Sequence, residues 1–179
     1  MYDTLSSDYD RFVNWQGRLA LELPFILEQL KSVNARDVLD AACGTGMHAI
    51  ALAQRGYRVA GSDLSRGMIE RARVNAVSAA LQVRFEIAGF GTLANTFGRG
   101  TFDALLCLGN SIPHLLTPTE LASSLADFAS CLRPGGLLLI QNRNFDAVMA
   151  HHERWMEPQS HQEDDVEWIF QRFYDFDPD

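Results

Sequence analysis

The stretch from Val38 to His48 combines a carboxylate with a turn of small residues. An apolar strand ends at Asp40, small residues continue to Gly46, and an apolar helical run begins at Ala49. Glycines let the backbone of such a turn approach another molecule closely, and the first N–H groups of a helix have no partner within the helix. The stretch therefore predicts a binding site for a nucleotide-type cofactor.

Two classes of cofactor are compatible with this turn. The spacing Gly44-x-Gly46-x-x-Ala49, with the acidic Asp63 further along, also satisfies the loose pattern of dinucleotide-binding proteins. The charge of Asp40 would repel a pyrophosphate, but it would attract the ammonium and sulfonium groups of S-adenosylmethionine. The residues favour S-adenosylmethionine, and a tight turn without a ligand is the structural alternative.

The segment Asp40-Ala41-Ala42-Cys43-Gly44-Thr45-Gly46 resembles the first motif of the class I S-adenosylmethionine-dependent methyltransferases, which reads acidic-x-small-x-Gly-x-Gly. The resemblance covers most of the chain and implies an α/β fold, a doubly wound and mostly parallel sheet with helices on both faces. It also implies cofactor contacts after the first four strands. These are Asp40, Ala42, Gly44 and Gly46, then Asp63, Leu64 and Met68, then Gly89 and Phe90, and finally Leu108 and Gly109.

Two of these contacts have stated alternatives. Asp63 can accept both ribose hydroxyls, or it can cap the following helix together with Ser65. The family usually has an acidic residue after the third strand that contacts the adenine amino group, whereas this chain has Ala88-Gly89-Phe90-Gly91. We therefore expect the backbone of Gly89 and Phe90 to face the adenine ring without a side-chain acceptor.

Two later segments resemble the glycine and sarcosine N-methyltransferases. They are Gly109-Asn110-Ser111 and Arg143-Asn144-Phe145-Asp146. The resemblance implies that Asn110 holds the amine of a small acceptor and that Arg143 holds its carboxylate. An amide oxygen can accept from an amine, and a guanidinium forks onto a carboxylate. The structural alternative makes Asn110 a turn former and Arg143 a surface charge.

The implied reaction is in-line attack of a neutral amine nitrogen on the methyl group of the sulfonium, with His114 as a candidate proton acceptor or a structural residue. Phe145 stands where a glycine-type enzyme has a tyrosine, which predicts a larger or less polar substrate. The alternatives are methyl transfer to another small oxygen or carbon nucleophile, a non-catalytic cofactor-binding or interaction module, and a dinucleotide oxidoreductase.

Composition limits the remaining classes. The 179 residues, 47% of them hydrophobic, predict one domain over 1–179. The chain has no apolar run of ~18 residues and no basic, apolar leader, so we expect a soluble cytoplasmic protein that does not bind membranes. A net charge of −8 argues against nucleic acid as a partner. Cys43, Cys107 and Cys131 are predicted to be reduced and buried, and His151, His152 and His161 lack the spacing of a metal site.

The elements that must position these residues follow from periodicity. Apolar residues at helical spacing over 8–31 predict two helices, or one kinked at Pro24. In the family such helices lie across the cofactor as a lid, which makes Tyr9, Trp15 and Arg18 candidate contacts; simple packing is the alternative. Beyond them, strands are predicted at 37–40, 57–62, 83–87, 101–108 and 137–141, alternating with helices at 49–55, 66–80 and 117–132.

The end of the chain predicts an incomplete sheet. Alternation from Asp165 to Phe176 predicts a sixth strand, and Asp177-Pro178-Asp179 predicts a turn. The family closes its sheet with an antiparallel hairpin whose last strand inserts between the fifth and sixth strands, and that strand is expected to be absent here. An open edge of this kind invites pairing with another copy, which predicts a fragile monomer or a homo-oligomer.

Overall fold

Helices and strands alternate along residues 8–176, the part of the chain that this computed structural model describes. The helices are α1 (Tyr9–Phe12), α2 (Trp15–Ser32), α3 (Met47–Ala53), α4 (Arg66–Ser78), α5 (Leu93–Phe97), α6 (Pro118–Cys131) and α7 (Phe145–His151). The strands are β1 (Asp37–Ala41), β2 (Arg58–Asp63), β3 (Arg84–Ile87), β4 (Phe102–Cys107), β5 (Leu132–Ile140), β6 (Gln159–Glu163) and β7 (Val166–Phe170).

The first five strands form a parallel sheet in the order β3-β2-β1-β4-β5. The chain moves outward from β1 to β3 and then returns to add β4 and β5 on the other side, so the sheet is doubly wound as predicted. Ligands of such sheets lie beyond the carboxyl ends of the strands where the order reverses, which here is between β1 and β4.

Both faces of the sheet are covered by helices. In β1 the neighbouring residues Val38 and Leu39 point into different hydrophobic clusters, since successive side chains alternate across a strand. Val38 packs with α2 and α3, whereas Leu39 packs with α5 and with Phe128 of α6. Cys43, Cys107 and Cys131 are free and buried, which confirms the prediction from their apolar neighbours.

Strand β5 begins earlier than predicted, at Leu132, and is only partly buried. It pairs with β4 at Leu132 and again from Leu137, and residues 133–136 form an irregularity between the two regions. Residues 137–140 are only partly buried because β5 is the outermost strand of the sheet in residues 8–176. Association of copies through this edge stays a prediction.

The N-terminal helices divide at a different place from the one predicted. The break falls at Val13 and Asn14, where the Asn14 side chain accepts a hydrogen bond from the N–H of Gly17 and so caps α2. Pro24 lies inside α2 with its side chain exposed. Burial of one face of α2, at Leu23, Ile26 and Leu30, holds the helix together past the proline. Within 8–176 no helix combines the length and apolar character that a membrane span needs.

The C-terminal region also differs from the prediction. The alternating stretch forms β7, but β7 pairs with β6 in a separate antiparallel hairpin and does not join the main sheet. The polar sequence of β6 gave no strand signal, because both faces of this hairpin are largely exposed. The alternation instead fits packing on α1, where Phe170 meets Phe12 with 5.5 Å between ring centroids. The turn predicted at 177–179 lies outside the described residues.

Replacing Gly46 by alanine tests the packing of the turn against the sheet. Gly46 has a φ of +79°, and an added Cβ would lie 2.8 Å from Phe85 and 2.9 Å from Ala72. We expect the Gly46→Ala variant to lose roughly 2–4 kcal/mol of unfolding free energy in urea, since backbone strain and overpacking add. Gly100→Ala is the matched control, because its φ is +57° with no atom within 4 Å of the added Cβ. Equal losses in the two variants would contradict the packing role.

Candidate cofactor site

A cavity of about 380 Å³ opens at the carboxyl ends of the central strands. All but one of the residues predicted to contact a cofactor line it. They are Tyr9, Trp15, Arg18, Asp40, Ala42, Gly44, Asp63, Leu64, Met68, Gly89, Phe90, Leu108 and Gly109. Cys43, His48, Ala88, Ser111 and Leu115 also line the cavity and were not predicted. The volume is within the range of small-molecule binding clefts.

The turn after β1 presents its backbone to this cavity. Ala42, Gly44 and Gly46 all have positive φ, at 59°, 54° and 79°, so the chain reverses within a few residues. The N–H of Cys43 donates to the carbonyl of Ser62 over 2.8 Å, which fixes the turn to β2. A Cβ on Gly44 would meet only Tyr9 within 4 Å, so the missing side chain leaves the backbone accessible.

Gly46 is the exception among the predicted contacts. It does not line the cavity, and its Cα faces the rings and methyl groups of the core at Phe85 and Ala72. It also stands at the N-cap of α3 in the left-handed conformation. The structure thus gives this glycine a packing role at the base of the turn.

Asp63 holds the turn from the neighbouring strand. Its Oδ2 accepts from the N–H of Gly44 and its Oδ1 accepts from the N–H of Ser65, both over 2.9 Å. The side chain of Ser65 then caps α4 by accepting from the N–H of Met68. The capping alternative is therefore present in the structure. Each carboxylate oxygen can accept more than one hydrogen bond, so a ribose contact at the cavity remains compatible with this bracing.

Asp40 is a buried carboxylate with an unsatisfied oxygen. Only 2% of its surface is exposed, and its Oδ2 has no hydrogen-bond partner among residues 8–176. Burial raises the pKa of Asp40 to about 6, and the nearby charge of Asp63 adds to the shift, while His48 and Arg18 oppose it. A buried carboxylate oxygen on a cavity wall fits a positively charged ligand group and disfavours a phosphate.

A hydrogen-bonded cluster that the sequence did not reveal lies beside Asp40. Glu22 of α2 is 2.7 Å from Nε2 of the buried His48 and accepts from Arg18 over 3.1 Å. Gln141, just after β5, donates to Glu22 over 2.7 Å and accepts from the N–H of Gly109. Burial opposes ionisation of Glu22, but these hydrogen bonds and the Arg18 charge lower its pKa to about 2. The cluster joins α2, α3, β4 and β5 around the cavity.

A second cluster fastens α1 over the glycine turn. The carboxylate of Asp10 accepts from the Thr45 hydroxyl over 2.6 Å and from the Trp15 indole over 3.0 Å. It also accepts from Arg71 and Asn75 of α4. Burial would raise the pKa of Asp10, but these hydrogen bonds outweigh it and lower the pKa. The sequence indicated Tyr9, Trp15 and Arg18 as lid residues. It did not indicate that Asp10 would fasten α1, because its partners Thr45, Arg71 and Asn75 lie far along the chain.

The three residues predicted for the acceptor divide between two cavities. Asn110, with a φ of +68°, and His114 line the cofactor cavity. The Arg143 side chain lines a second cavity, although its backbone N–H donates to Oδ1 of Asn110. The structure thus brings Asn110 and Arg143 into contact but points the guanidinium away from the first cavity. No group of three His, Cys, Asp or Glu side chains in the described ranges is arranged to hold a metal ion.

These features define a class of protein, an open α/β domain with a cofactor cavity at its switch point and a carboxylate suited to a cationic ligand. A family model described as "Methyltransferase domain" matches residues 38–136. The chain therefore belongs to the methyltransferase domain family, and its fold is that of the class I S-adenosylmethionine-dependent methyltransferases, as its first motif indicated.

Curated relatives and solved structures agree with this assignment. The chain is 37% identical over 141 residues to the glycine/sarcosine N-methyltransferase of Parasynechococcus marenigrum strain WH8102, covering 79% of this chain and 50% of that protein. It is 34% identical to the enzyme of that name from Halorhodospira halochloris, covering 83% of this chain and 55% of that protein. An S-adenosylmethionine-dependent methyltransferase from Clostridium acetobutylicum shares the fold, with a TM-score of 0.71 and 22% identity over 97% of this chain and 70% of that one. The chain spans about half the length of the curated relatives.

The buried charge of Asp40 predicts a pH-dependent cost to stability. Because the pKa of Asp40 is raised from 3.8 to about 6, the folded protein holds the proton more tightly than the unfolded chain does. Protonated Asp40 therefore contributes to the free energy of unfolding. This contribution is fully present below pH 3.8 and is lost as the pH rises through 6, a loss of up to about 3 kcal/mol. We expect Asp40→Asn to raise the unfolding free energy in urea above pH 6 and to have little effect at low pH.

Asp103→Asn is the control, because the pKa of Asp103 is shifted in the opposite direction from that of Asp40. The N–H groups of Asp37 and Arg36 and the charge of Arg133 outweigh desolvation and lower the pKa of Asp103 to about 2. Its contribution to stability is therefore present at neutral pH and lost in acid. A stability loss at neutral pH in both variants would contradict the account of Asp40.

Proposed function

We propose that this chain transfers the methyl group of S-adenosylmethionine to the amine nitrogen of a small, amino-acid-like acceptor. The observation that carries the proposal is the contact between Asn110 and Arg143. It puts an amide group on the wall of the cofactor cavity and an arginine directly behind it. An acceptor with an amine and a carboxylate matches that pair. The glycine/sarcosine N-methyltransferases among the relatives support the same acceptor class.

The cofactor roles in this proposal follow from the cavity wall. The unsatisfied oxygen of Asp40 takes the positively charged amino acid end, and Asp63 takes the ribose hydroxyls while it braces the turn. Phe90 and Gly89 flank the adenine ring, and the exposed Leu64 covers its other side. The bound cofactor supplies an activated methyl group, so the protein has to align the acceptor and exclude water.

The lid helices supply that exclusion. Asp10 ties α1 to Thr45 of the turn, and Glu22 ties α2 to His48 at the start of α3. Both links end at the residues that follow β1, so the lid is held at the edge of the cofactor cavity. On the acceptor side, Asn110 orients the amine, and His114 takes the proton that the amine must lose before its lone pair can attack.

A small hydroxyl compound is the second candidate acceptor. His114 lies on the cavity wall, where a histidine can serve as the base that an alcohol needs. Transfer to a hydroxyl would not require Arg143.

Calorimetric titration with S-adenosylhomocysteine tests the cofactor part, with NADH as the control ligand. We expect saturable binding of S-adenosylhomocysteine alone, and affinity that falls as the pH drops below about 6, because Asp40 must be ionised to hold the ammonium group. In Asp40→Asn the affinity should fall by about tenfold or more, and its pH dependence should disappear. Binding without turnover on any acceptor would instead favour the non-catalytic module.

Substitution of Arg143 tests the acceptor part. We expect Arg143→Ala to raise the apparent KM for glycine or sarcosine by about tenfold, because a charge-assisted hydrogen bond is lost, and to leave the affinity for S-adenosylhomocysteine unchanged. Arg154→Ala is the matched control, since Arg154 pairs with Asp175 and lines neither cavity. Equal loss of acceptor and cofactor binding in Arg143→Ala would exclude the assigned role.

A further inference from the structure

A second cavity, of about 460 Å³, lies beside the cofactor cavity. It is built by α7, the segment that precedes β6 and the segment that follows β7. The side chains that matter for its chemistry are Arg143, Val148, Trp155, Met156, Arg172 and Tyr174. The backbone N–H of Arg143, which lines this cavity, donates to Oδ1 of Asn110, which lines the cofactor cavity.

The two arginines of this cavity have no acidic partner within the described residues. Arg143 donates to the hydroxyl of Tyr174 and lies 3.4 Å from the sulfur of Met156. Arg172 lies over the ring of Phe12, 4.6 Å from its centroid. No carboxylate of residues 8–176 comes within 4.0 Å of either guanidinium, although Glu153 and Glu157 also line the cavity.

The neighbouring Arg154, which lines neither cavity, differs from the two cavity arginines in having an acidic partner. Arg154 stacks on the rings of Trp155 and Phe173, as Arg143 stacks on Tyr174 and Arg172 on Phe12. Unlike those two arginines, it also pairs with Asp175 over 3.2 Å. Arg143 and Arg172 line the same cavity, so their like charges oppose each other there. Partial burial, and then the charge of Arg143, lower the pKa of Arg172. A negative group between them would offset this repulsion.

The geometry points to a two-arginine carboxylate site formed by Arg143 and Arg172. The ligand is a small amino acid larger than glycine, with its carboxylate between the two guanidiniums and its amine reaching past Asn110 to the cofactor cavity. This inference rests on the proposed function and adds to it Arg172 and the size of the acceptor. One arginine can donate to each carboxylate oxygen once, and a second forked donor can use the lone pairs that would otherwise be left to water.

The remaining wall of the cavity indicates the size of the acceptor. Val148, Trp155 and Met156 provide apolar surface next to the arginines, and Trp155 is 63% exposed. Burial of an apolar side chain on this surface contributes roughly 25 cal/mol per Å². Glycine has no side chain to place there. Amino acids with a short straight hydrocarbon side chain should therefore bind more tightly than glycine.

Calorimetry with saturating S-adenosylhomocysteine tests the site directly. The probes are glycine, alanine, 2-aminobutyrate and norvaline, each compared with its amide, which lacks the negative charge. In the unmodified protein we expect affinity to rise along the series and each amide to bind about tenfold more weakly than its acid. Equal affinity for acids and amides would overturn the site without any variant.

Arg172→Gln should remove most of the preference for the acid over the amide, Arg172→Lys should keep part of it, and Arg154→Gln should keep all of it. Thermal melts of each variant monitor folding. Unchanged preference in a folded Arg172→Gln protein would overturn the role of Arg172. Arginine-dependent acid binding without formation of N-methylated product would refute the proposed function but leave the site standing. Turnover of acid and amide alike would support the function and refute the site.

Discussion

The structure depends on a buried negative charge at the end of its central strand. Asp40 follows Val38 and Leu39, whose side chains fix β1 between two hydrophobic clusters, so the carboxylate has no freedom to turn to solvent. Its raised pKa and unsatisfied oxygen show that the folded protein bears a cost that a cationic ligand can offset. Burial of an unpaired carboxylate lowers the stability of the free protein. Such a site is suited to recognition of positive charge, because only a cationic ligand can offset this cost by pairing with Asp40.

The surroundings of Asp40 are ordered by two other carboxylates, which have the opposite electrostatic character. Asp10 and Glu22 are partly buried but are fully hydrogen-bonded, and their pKa values are lowered. They are therefore structural charges. Each joins a lid helix to the residues just after β1, Asp10 through Thr45 and Glu22 through His48. The contrast distinguishes Asp40, which has an unpaired oxygen, from Asp10 and Glu22, whose hydrogen bonds hold the wall of the cavity in place.

The proposed acceptor site is arranged around the contact of Asn110 with Arg143. Asn110 belongs to the loop after β4, and Arg143 follows β5, so the parallel pairing of these strands brings the two loops together. The C-terminal hairpin packs on α1 through Phe170 and Phe12, and the segment after it carries Arg172 and Tyr174 to the second cavity. The N-terminal helix α1 and the hairpin therefore share one interface, which links the proposed acceptor site to the proposed lid.

The sequence by itself determined the parallel sheet, the turn after β1 and nearly all of the cavity wall, because these follow from local signals. Buried strands are continuously apolar, glycines allow positive φ, and residues after parallel strands must meet at one edge. It did not determine three features of the structure. The helix break at Asn14 depends on a cap that Asn14 itself provides, β6 is a polar strand of an exposed hairpin, and the packing role of Gly46 depends on the distant ring of Phe85. Only the tertiary structure could show that Glu22 meets Gln141 or that Arg143 and Arg172 line one cavity. Those pairs are far apart in the chain, and hydrogen bonds between distant residues leave no periodic trace in a sequence.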